Sequence, residues 1–186
     1  MRQLLFIFIL ALALGSGFQG RAQKFITKTG YVRFYSEAPL EKIEAVNRQV
    51  KSALDAATGD FVFTVLMKSF VFEKALMQEH FHENYVESDK FPNATFIGKV
   101  TNLKEVNFGK DGTYPVTVDG KLTIHGETKT ISEKGTLEIR EGKVIGRSKF
   151  SVTVADYKIT IPNTVVNNIS KTIEITVDVV MDKVNP

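Results

Sequence analysis

Most of the chain after residue 22 alternates between apolar and polar residues with period two, which places one face of each segment in a core and the other in water. The last segment illustrates this, because Ile173, Ile175, Val177 and Val179 share one face and polar residues occupy the other. Such a pattern predicts half-buried strands of an antiparallel sheet. The clearest predicted strands are residues 61–65, 94–101, 115–124, 149–154 and 171–180.

Turn-forming residues separate these segments, and each predicted turn contains a glycine, which tolerates a positive φ. The predicted turns are residues 58–60, 110–112, 118–120 and 140–143. Short strands at this spacing predict a mainly β protein, either a sandwich or a barrel. Because there is no internal repeat and no low-complexity linker, we expect one domain at residues 23–186.

Two segments depart from the strand pattern. Phe72, Leu76, Phe81 and Tyr85 recur at helical spacing without an intervening glycine or proline, which predicts one short amphipathic helix at about residues 73–86. Residues 40–57 suit a helix at their start and a strand towards their end, so periodicity alone leaves both structures open.

The N-terminus has the three parts of a secretory signal peptide. Arg2 precedes an apolar run of eleven residues, 4–14, and a small and polar stretch ends at Ala22. The run is well short of the roughly twenty residues that a helix needs to cross a bilayer. We therefore expect a signal peptide at residues 1–22, cleaved after Ala22, and a periplasmic or secreted protein with no membrane span. The alternative is an uncleaved N-terminal anchor, which the small residues of the cleavage pattern disfavour.

Charge and composition exclude several classes of protein. Removal of Arg2 and Arg21 lowers the net charge from +3 to +1, and Lys alternates with acidic residues, so no nucleic-acid-binding surface is expected. The absence of cysteine excludes thiol catalysis, thiolate zinc sites and iron–sulfur clusters. The expected mature chain has no glycine-rich phosphate loop and no nucleophile elbow, so we predict no cofactor and no catalytic residue.

Histidine carries the main alternative hypothesis, a metal-dependent hydrolase. His80, His82 and Glu87, with His125 on a later strand, are the ligand types of a barrel metal site. On a helix, however, positions 80 and 82 point about 200° apart, so both cannot easily reach one metal. We therefore expect solvent-facing histidines and no metal site, with acidic residues placed singly on outer strand faces.

Five segments, in order, resemble the YceI-like lipid or polyisoprenoid-binding family. Three of them are residues 30–34, 58–63 and 150–162. The two most specific are Leu76-Met77-x3-Phe81-x3-Tyr85-x2-Ser88-x2-Phe91-Pro92-x2-Thr95-Phe96-x-Gly98 and Gly120-Lys121-Leu122-Thr123-Ile124-His125-Gly126-Glu127-Thr128-Lys129. Together the five span nearly all of the expected mature chain. The sequence departs from the family pattern at residues 36–40, where the family has a His-Ser pair and a following strand.

The resemblance implies a single lipocalin-like antiparallel barrel of about eight strands, with one short helix and an apolar tunnel for a polyprenyl chain. It favours strand over helix for residues 48–57 and carries over no catalytic residue. The expected function is therefore non-enzymatic binding of a polyisoprenoid, an isoprenoid quinone or a similar lipid. Besides the hydrolase that would use His80, His82 and His125, a filled barrel that acts as an interaction protein is a further alternative.

Strand parity selects the residues that would line such a tunnel, because the large apolar face of each strand must point inward. Eleven of the fourteen phenylalanines lie after residue 22. A barrel of about eight strands is either filled by its side chains or holds one small ligand, so the same residues also suit a plain core. The predicted ligand-binding residues are Phe34, Phe61, Phe63, Val65, Phe96, Val118, Leu122, Ile124, Phe150, Val152, Ile173 and Ile175, with Phe81 as a possible lid.

Overall fold

The computed structural model describes residues 23–184, so the predicted signal peptide at residues 1–22 lies outside the described residues. Within them the chain forms nine β-strands, one helix and several 3-10 turns. The strands are β1 Lys24–Glu37, β2 Lys42–Asp55, β3 Asp60–Leu66, β4 Val71–Phe72, β5 Asn93–Val100, β6 Gly112–Ile124, β7 Glu127–Arg140, β8 Lys143–Thr153 and β9 Thr172–Lys183.

Eight of these strands close into an antiparallel barrel. Their order is β1-β9-β8-β7-β6-β5-β3-β2, and β2 pairs back with β1 to complete the ring. The two-residue strand β4 pairs with the first half of β2, where β3 has already separated from it. This architecture confirms the predicted mainly β fold with a barrel of about eight strands.

Glycines at positive φ make two of the predicted turns, whereas a third prediction is wrong. Gly59 has φ 79° between β2 and β3, and Gly142 has φ 75° between β7 and β8. Residues 118–120, in contrast, lie inside β6, where Gly120 faces Gly98 of β5. A Cβ atom on Gly120 would lie 2.5 Å from Cζ of Phe96. Glycine is needed there because an aromatic ring covers the strand, not because the chain turns.

The ambiguous segment, residues 40–57, forms strand β2, and a bulge explains why its period was unclear. Three steps of β2, from Asn47 to Val50, match two steps of β1, from Val32 to Gly30. The bulge changes which residues face inward and so interrupts the alternation. Asn47 is fully buried at this point, where its Nδ2 donates to the Leu66 carbonyl at 2.8 Å and its Oδ1 accepts from the Gln49 amide at 2.8 Å.

The predicted helix is present but shorter than residues 73–86. Helix α1 Ala75–His80 continues directly as a π-helical turn, Phe81–Tyr85. Phe81 and Tyr85 pack against the core, whereas Leu76, which the periodicity placed on the same face, is 62% exposed. The change from α to π geometry alters the residue spacing, so a single 3.6-residue period does not describe this segment. Within residues 23–184, no helix is both long enough and apolar enough to cross a membrane.

The barrel interior differs between its two ends. At the end formed by the start of β1, the end of β2, the start of β8 and the end of β9, a filled core contains fully buried side chains. They are Phe25, Val50, Leu54, Val144, Val179 and Met181, each at most 1% exposed. We call this part the filled end. The opposite end, capped by α1 and by residues 154–169, contains a cavity and is called the hollow end.

Candidate functional site

The hollow end encloses a cavity of about 550 Å³ with mainly apolar walls. Its volume lies within the range of about 300–1,000 Å³ that small-molecule pockets occupy. Inward-facing residues of the barrel strands form the wall, and α1 and residues 154–169 contribute side chains to the cap. The cavity is therefore a space suited to an apolar ligand.

All thirteen residues that strand parity selected lie on the wall of this cavity. They are Phe34 of β1, Phe61, Phe63 and Val65 of β3, Phe96 of β5, Val118, Leu122 and Ile124 of β6, Phe150 and Val152 of β8, Ile173 and Ile175 of β9, and Phe81 of the π turn. The strand residues of this set follow the regular alternation of each strand along the part that faces the cavity, and Phe81 reaches the wall from the helical segment. Contact of these side chains with a ligand stays a prediction.

Several wall residues were missed by the sequence analysis. Phe72 lies in the very short β4 and Phe70 lies just before it. This strand has too few residues to show a period. Tyr157 lies in a 3-10 turn, Val154–Tyr157, and likewise belongs to no alternating segment. Ile131 of β7 was detectable in principle, because its apolar side chain shares parity with Leu137 and Ile139.

Four phenylalanine rings join the helix to the barrel wall. The ring centroid of Phe81 lies 5.2 Å from that of Phe34, 5.1 Å from that of Phe72 and 5.6 Å from that of Phe70. Offset or edge contacts at these distances add to the stabilisation from apolar burial. Phe81 thus fixes the helical cap on the hollow end, and its role as a lid stays a prediction.

Polar contacts around Glu41 connect the parts of the cap. Lys74, just before α1, lies 3.1 Å from the Glu41 carboxylate, and the Asn168 side-chain amide donates to the same carboxylate at 3.4 Å. The Leu40 amide donates to the Asn167 carbonyl at 3.0 Å. Residues 38–41, which overlap the segment 36–40 where the sequence departs from the family pattern, form the turn between β1 and β2. This departure therefore lies at the cap, next to the cavity.

The histidines do not gather into a metal site. Two of them, His82 and His125, are partly buried, whereas all were expected to face solvent. No cluster of three or more His, Asp or Glu side chains suited to a metal ion occurs within residues 23–184. His80 is exposed, but burial lowers the pKa of His82, whose Nε2 has no hydrogen-bond partner among the described residues. The imidazole of His125 is only 12% exposed.

His125 instead joins three segments of the hollow end. Its Nε2 lies 2.7 Å from Oε2 of Glu87, and its Nδ1 lies 3.0 Å from the Tyr157 carbonyl oxygen. Its ring also meets the edge of Phe91, with centroids 4.7 Å apart. Both His125, with φ 51°, and Glu87, with φ 44°, have left-handed backbone conformations. We call the His125–Glu87 contact the latch, because it connects the β6–β7 turn with the segment after the helix.

One acidic residue contradicts the expectation that all carboxylates lie on outer faces. Glu133 of β7 has the inward parity of Ile131 and Leu137 and lines the cavity. Burial raises its pKa above the ordinary value for glutamate. The parity of Ile131 was the sequence signal that could have placed Glu133 inside the barrel. The interior therefore contains a carboxyl group in a mainly apolar wall.

Comparison with known proteins agrees with this geometry. Residues 20–181 match the model of the YceI-like domain family. The chain belongs to the YceI-like domain family. No curated protein matches the sequence.

Solved structures share the fold of this YceI-like domain at low sequence identity. A polyisoprenoid-binding domain from Saccharophagus degradans, described as implicated in plant cell wall breakdown, has a TM-score of 0.74 at 13% identity, covering 87% of this chain and 98% of its own. BcnA of Burkholderia cenocepacia has a TM-score of 0.67 at 16% identity, covering 81% and 95%. A YceI protein of Campylobacter jejuni has a TM-score of 0.56 at 16% identity, covering 75% and 84%. At these identities the likeness shows the fold alone.

Proposed function

We propose that this protein is an exported, non-enzymatic binding protein that holds a polyisoprenoid, an isoprenoid quinone or a similar lipid inside the barrel. The observation that carries the proposal is the cavity of about 550 Å³ whose wall is made mainly of Phe, Val, Ile and Leu side chains. Such a wall binds by removing apolar surface from water. A carrier needs no more than this.

Apolar burial is large enough to drive such binding. A prenyl chain that loses roughly 400 Å² of apolar surface gains about 10 kcal/mol at 25 cal/mol/Å². Association costs of about 4–15 kcal/mol oppose this gain, so the net affinity depends on how well the wall is preformed. Phenylalanine rings packed on one another, as around Phe81, lose little freedom when a ligand enters. The preformed wall therefore favours useful affinity.

Two further observations support the proposal. The neighbour from Saccharophagus degradans is a polyisoprenoid-binding domain with the same fold. Arg2, the apolar run at residues 4–14 and the small residues ending at Ala22 fit an export signal. Together they favour a lipid carrier outside the cytoplasm, in the periplasm or secreted.

Native mass spectrometry of protein purified from its own host tests the binding. We expect a bound lipid in the mass range of prenyl compounds, and titration of delipidated protein with a prenyl chain should restore that complex. Protein that is purified without lipid and takes up no prenyl chain would remove the proposal. The same spectra give the mature mass, and retention of residues 1–22 would contradict export by signal cleavage.

A further inference from the structure

The carboxyl group of Glu133 lies in the cavity wall without a partner. In the β6–β7 ladder it is paired with Val118, which also lines the cavity. Within residues 23–184, Glu133 forms no ion pair and no hydrogen bond, although many carboxylates on outer faces do. A polar group held among apolar neighbours costs free energy when it lacks a hydrogen bond. Its position in a binding cavity therefore needs an explanation.

Tyr157 presents a second polar group to the same cavity. Its ring is 3% exposed and packs with Leu122 and Val152, while its hydroxyl makes no hydrogen bond with any described residue. Burial raises the pKa of Tyr157, and the negative charges of Asp156 and Glu133 raise it further. Glu133 and Tyr157 line the same cavity, and the turn that carries Tyr157 contacts β7, the strand of Glu133.

Both groups lie near the point where strands β7 and β8 stop pairing with each other. The β7–β8 ladder ends at the pair Gly135 and Ser148, two residues from Glu133. At this point the Ser148 hydroxyl donates to the Lys134 carbonyl at 2.7 Å. Beyond it the 3-10 turn Val154–Tyr157 packs against β7 and β8, and Tyr157 lines the cavity there. We call this place the fork.

The charges at the fork disfavour an anionic ligand group. Burial raises the pKa of Glu133, which makes its neutral, hydrogen-bond-donating form more accessible, and its ionised form would repel an anion. The nearby cation Arg147 is already engaged, with Nη1 2.6 Å from Glu138 and Nε 3.2 Å from Asp178. Lys134, another cation among the lining residues at the fork, has outward parity on β7 and is exposed. A phosphate inside the cavity would thus meet the Glu133 carboxyl group and no free guanidinium of Arg147.

We propose that Glu133 and Tyr157 hydrogen-bond an uncharged oxygen of the ligand, either a hydroxyl or a carbonyl of the quinone type. The inference rests on the proposed function and narrows it. The cavity selects prenyl chains that end in a neutral polar group, over pure hydrocarbons and over prenyl phosphates. Both side chains have a donor and an acceptor available, so either a hydroxyl or a carbonyl is accommodated.

A matched set of ligands tests this selectivity on the mature protein. Geranylgeraniol, the hydrocarbon of the same chain and geranylgeranyl phosphate compete with a fluorescent prenyl probe. We expect the wild type to bind the alcohol about tenfold more tightly than the hydrocarbon, the ratio that one good hydrogen bond gives. The phosphate should bind more weakly than the alcohol.

Variants assign the preference to the two side chains. Glu133→Leu and Tyr157→Phe should each reduce the alcohol preference several-fold while hydrocarbon binding is kept. Glu133→Gln, which retains a donor and an acceptor, should keep most of the preference. Asp119→Asn is the control, since Asp119 is exposed on neighbouring β6 and accepts from Ser132 at 2.6 Å.

The outcomes separate the inference from the proposed function. A wild type that binds none of the three chains would contradict the proposed function itself. A wild type that binds alcohol and hydrocarbon equally, or the phosphate as tightly as the alcohol, would overturn the inference and leave lipid binding intact. Should Glu133→Leu fail to fold, Tyr157→Phe, which removes one oxygen, gives the same decision.

Discussion

The filled end and the hollow end are built from the same strands but use them differently. At the filled end Val50, Leu54 and Val144 are completely buried. At the hollow end, Phe63, Phe150 and Ile175 have the same inward parity but surround a cavity of about 550 Å³. The difference teaches that close packing and open space are divided along the barrel axis, so that one end can stay hollow because the other is close-packed.

The hollow end also uses different contacts to hold its shape. Aromatic contacts around Phe81, the polar contacts of Glu41 and the latch all join loops or the helix to the barrel. These contacts lie at the periphery of the cavity and leave its centre free. We therefore expect mutations at the two ends to separate stability from ligand uptake.

Truncation of a leucine should give the largest difference between the ends. Leu54→Ala at the filled end should lower the free energy of unfolding by about 2–5 kcal/mol, because it leaves a void in a close-packed core. Leu122→Ala at the hollow end should cost clearly less, since Leu122 already borders empty space. Urea denaturation of both variants measures this, and equal losses would contradict the division into two ends.

Enlargement of a valine should give the next largest effect. At the filled end it should lower stability and keep ligand uptake, and at the hollow end it should block uptake and largely keep stability. Val144→Trp overpacks the filled end and should cost about 1–3 kcal/mol or more, with ligand uptake kept by the molecules that fold. Val152→Trp should occupy the cavity, block uptake of a prenyl chain and lower the melting temperature only modestly. Unchanged uptake together with a collapsed melting temperature for Val152→Trp would show that these residues form a core and not a binding site.

Double-mutant cycles compare how strongly a pair of side chains is coupled at each end of the barrel, an effect of about 1 kcal/mol. We expect the Glu87 and His125 side chains of the latch to couple by about 1 kcal/mol, because the imidazole is only 12% exposed. The control is the ion pair of Lys143 and Asp182 at the filled end, which is 51% and 68% exposed and should couple clearly less, because water screens it. Chemical denaturation of the single and double variants gives both values. A latch that couples no more than the exposed pair would remove its role in holding the hollow end.

The smallest expected effect is a difference in pH dependence between two glutamates of β7. Because burial raises the pKa of Glu133 in the folded state, its contribution to stability is lost as the pH rises through that pKa. Glu138 faces outward, and its hydrogen bond with Arg147 lowers its pKa, so its contribution is lost as the pH falls.

Unfolding at acidic and neutral pH distinguishes the two. Relative to wild type, Glu133→Gln should gain stability between the ordinary glutamate range and neutral pH. Glu138→Gln should instead be less stable than wild type at neutral pH, and this difference should shrink as the pH falls through and below the ordinary glutamate range. A Glu133→Gln variant whose stability tracks the wild type at every pH would show that the inward carboxyl is not disfavoured in its charged form.

Much of the fold could be predicted because a strand reports its buried face directly in its sequence. Ile173 and Ile175 of β9 were placed inward by parity alone, and Gly142 identified its hairpin turn. The helix and β2 were harder, since a π turn and the bulge beside Asn47 each break the period on which the prediction depends. Local irregularities of this kind arise from packing between distant segments.

Parity could not distinguish a wall from a core. Val152 and Val144 lie on the same face of β8, yet one borders the cavity and the other is fully buried. The difference depends on how much volume the opposite strands and the cap supply, which is a property of the assembled barrel. Glu133 was missed for another reason, because a charged residue was assumed to face water.

The fork also leaves two short strand edges without a neighbouring strand. Where the β7–β8 ladder stops, short stretches of both strands have backbone groups free for pairing with an added strand, which is how sheets begin to aggregate. Lys129 and Lys134 are exposed along this part of β7, and the turn Val154–Tyr157 packs against it. Lysines and a covering segment are devices that protect an unpaired strand edge from pairing with another chain, and both are present at the fork.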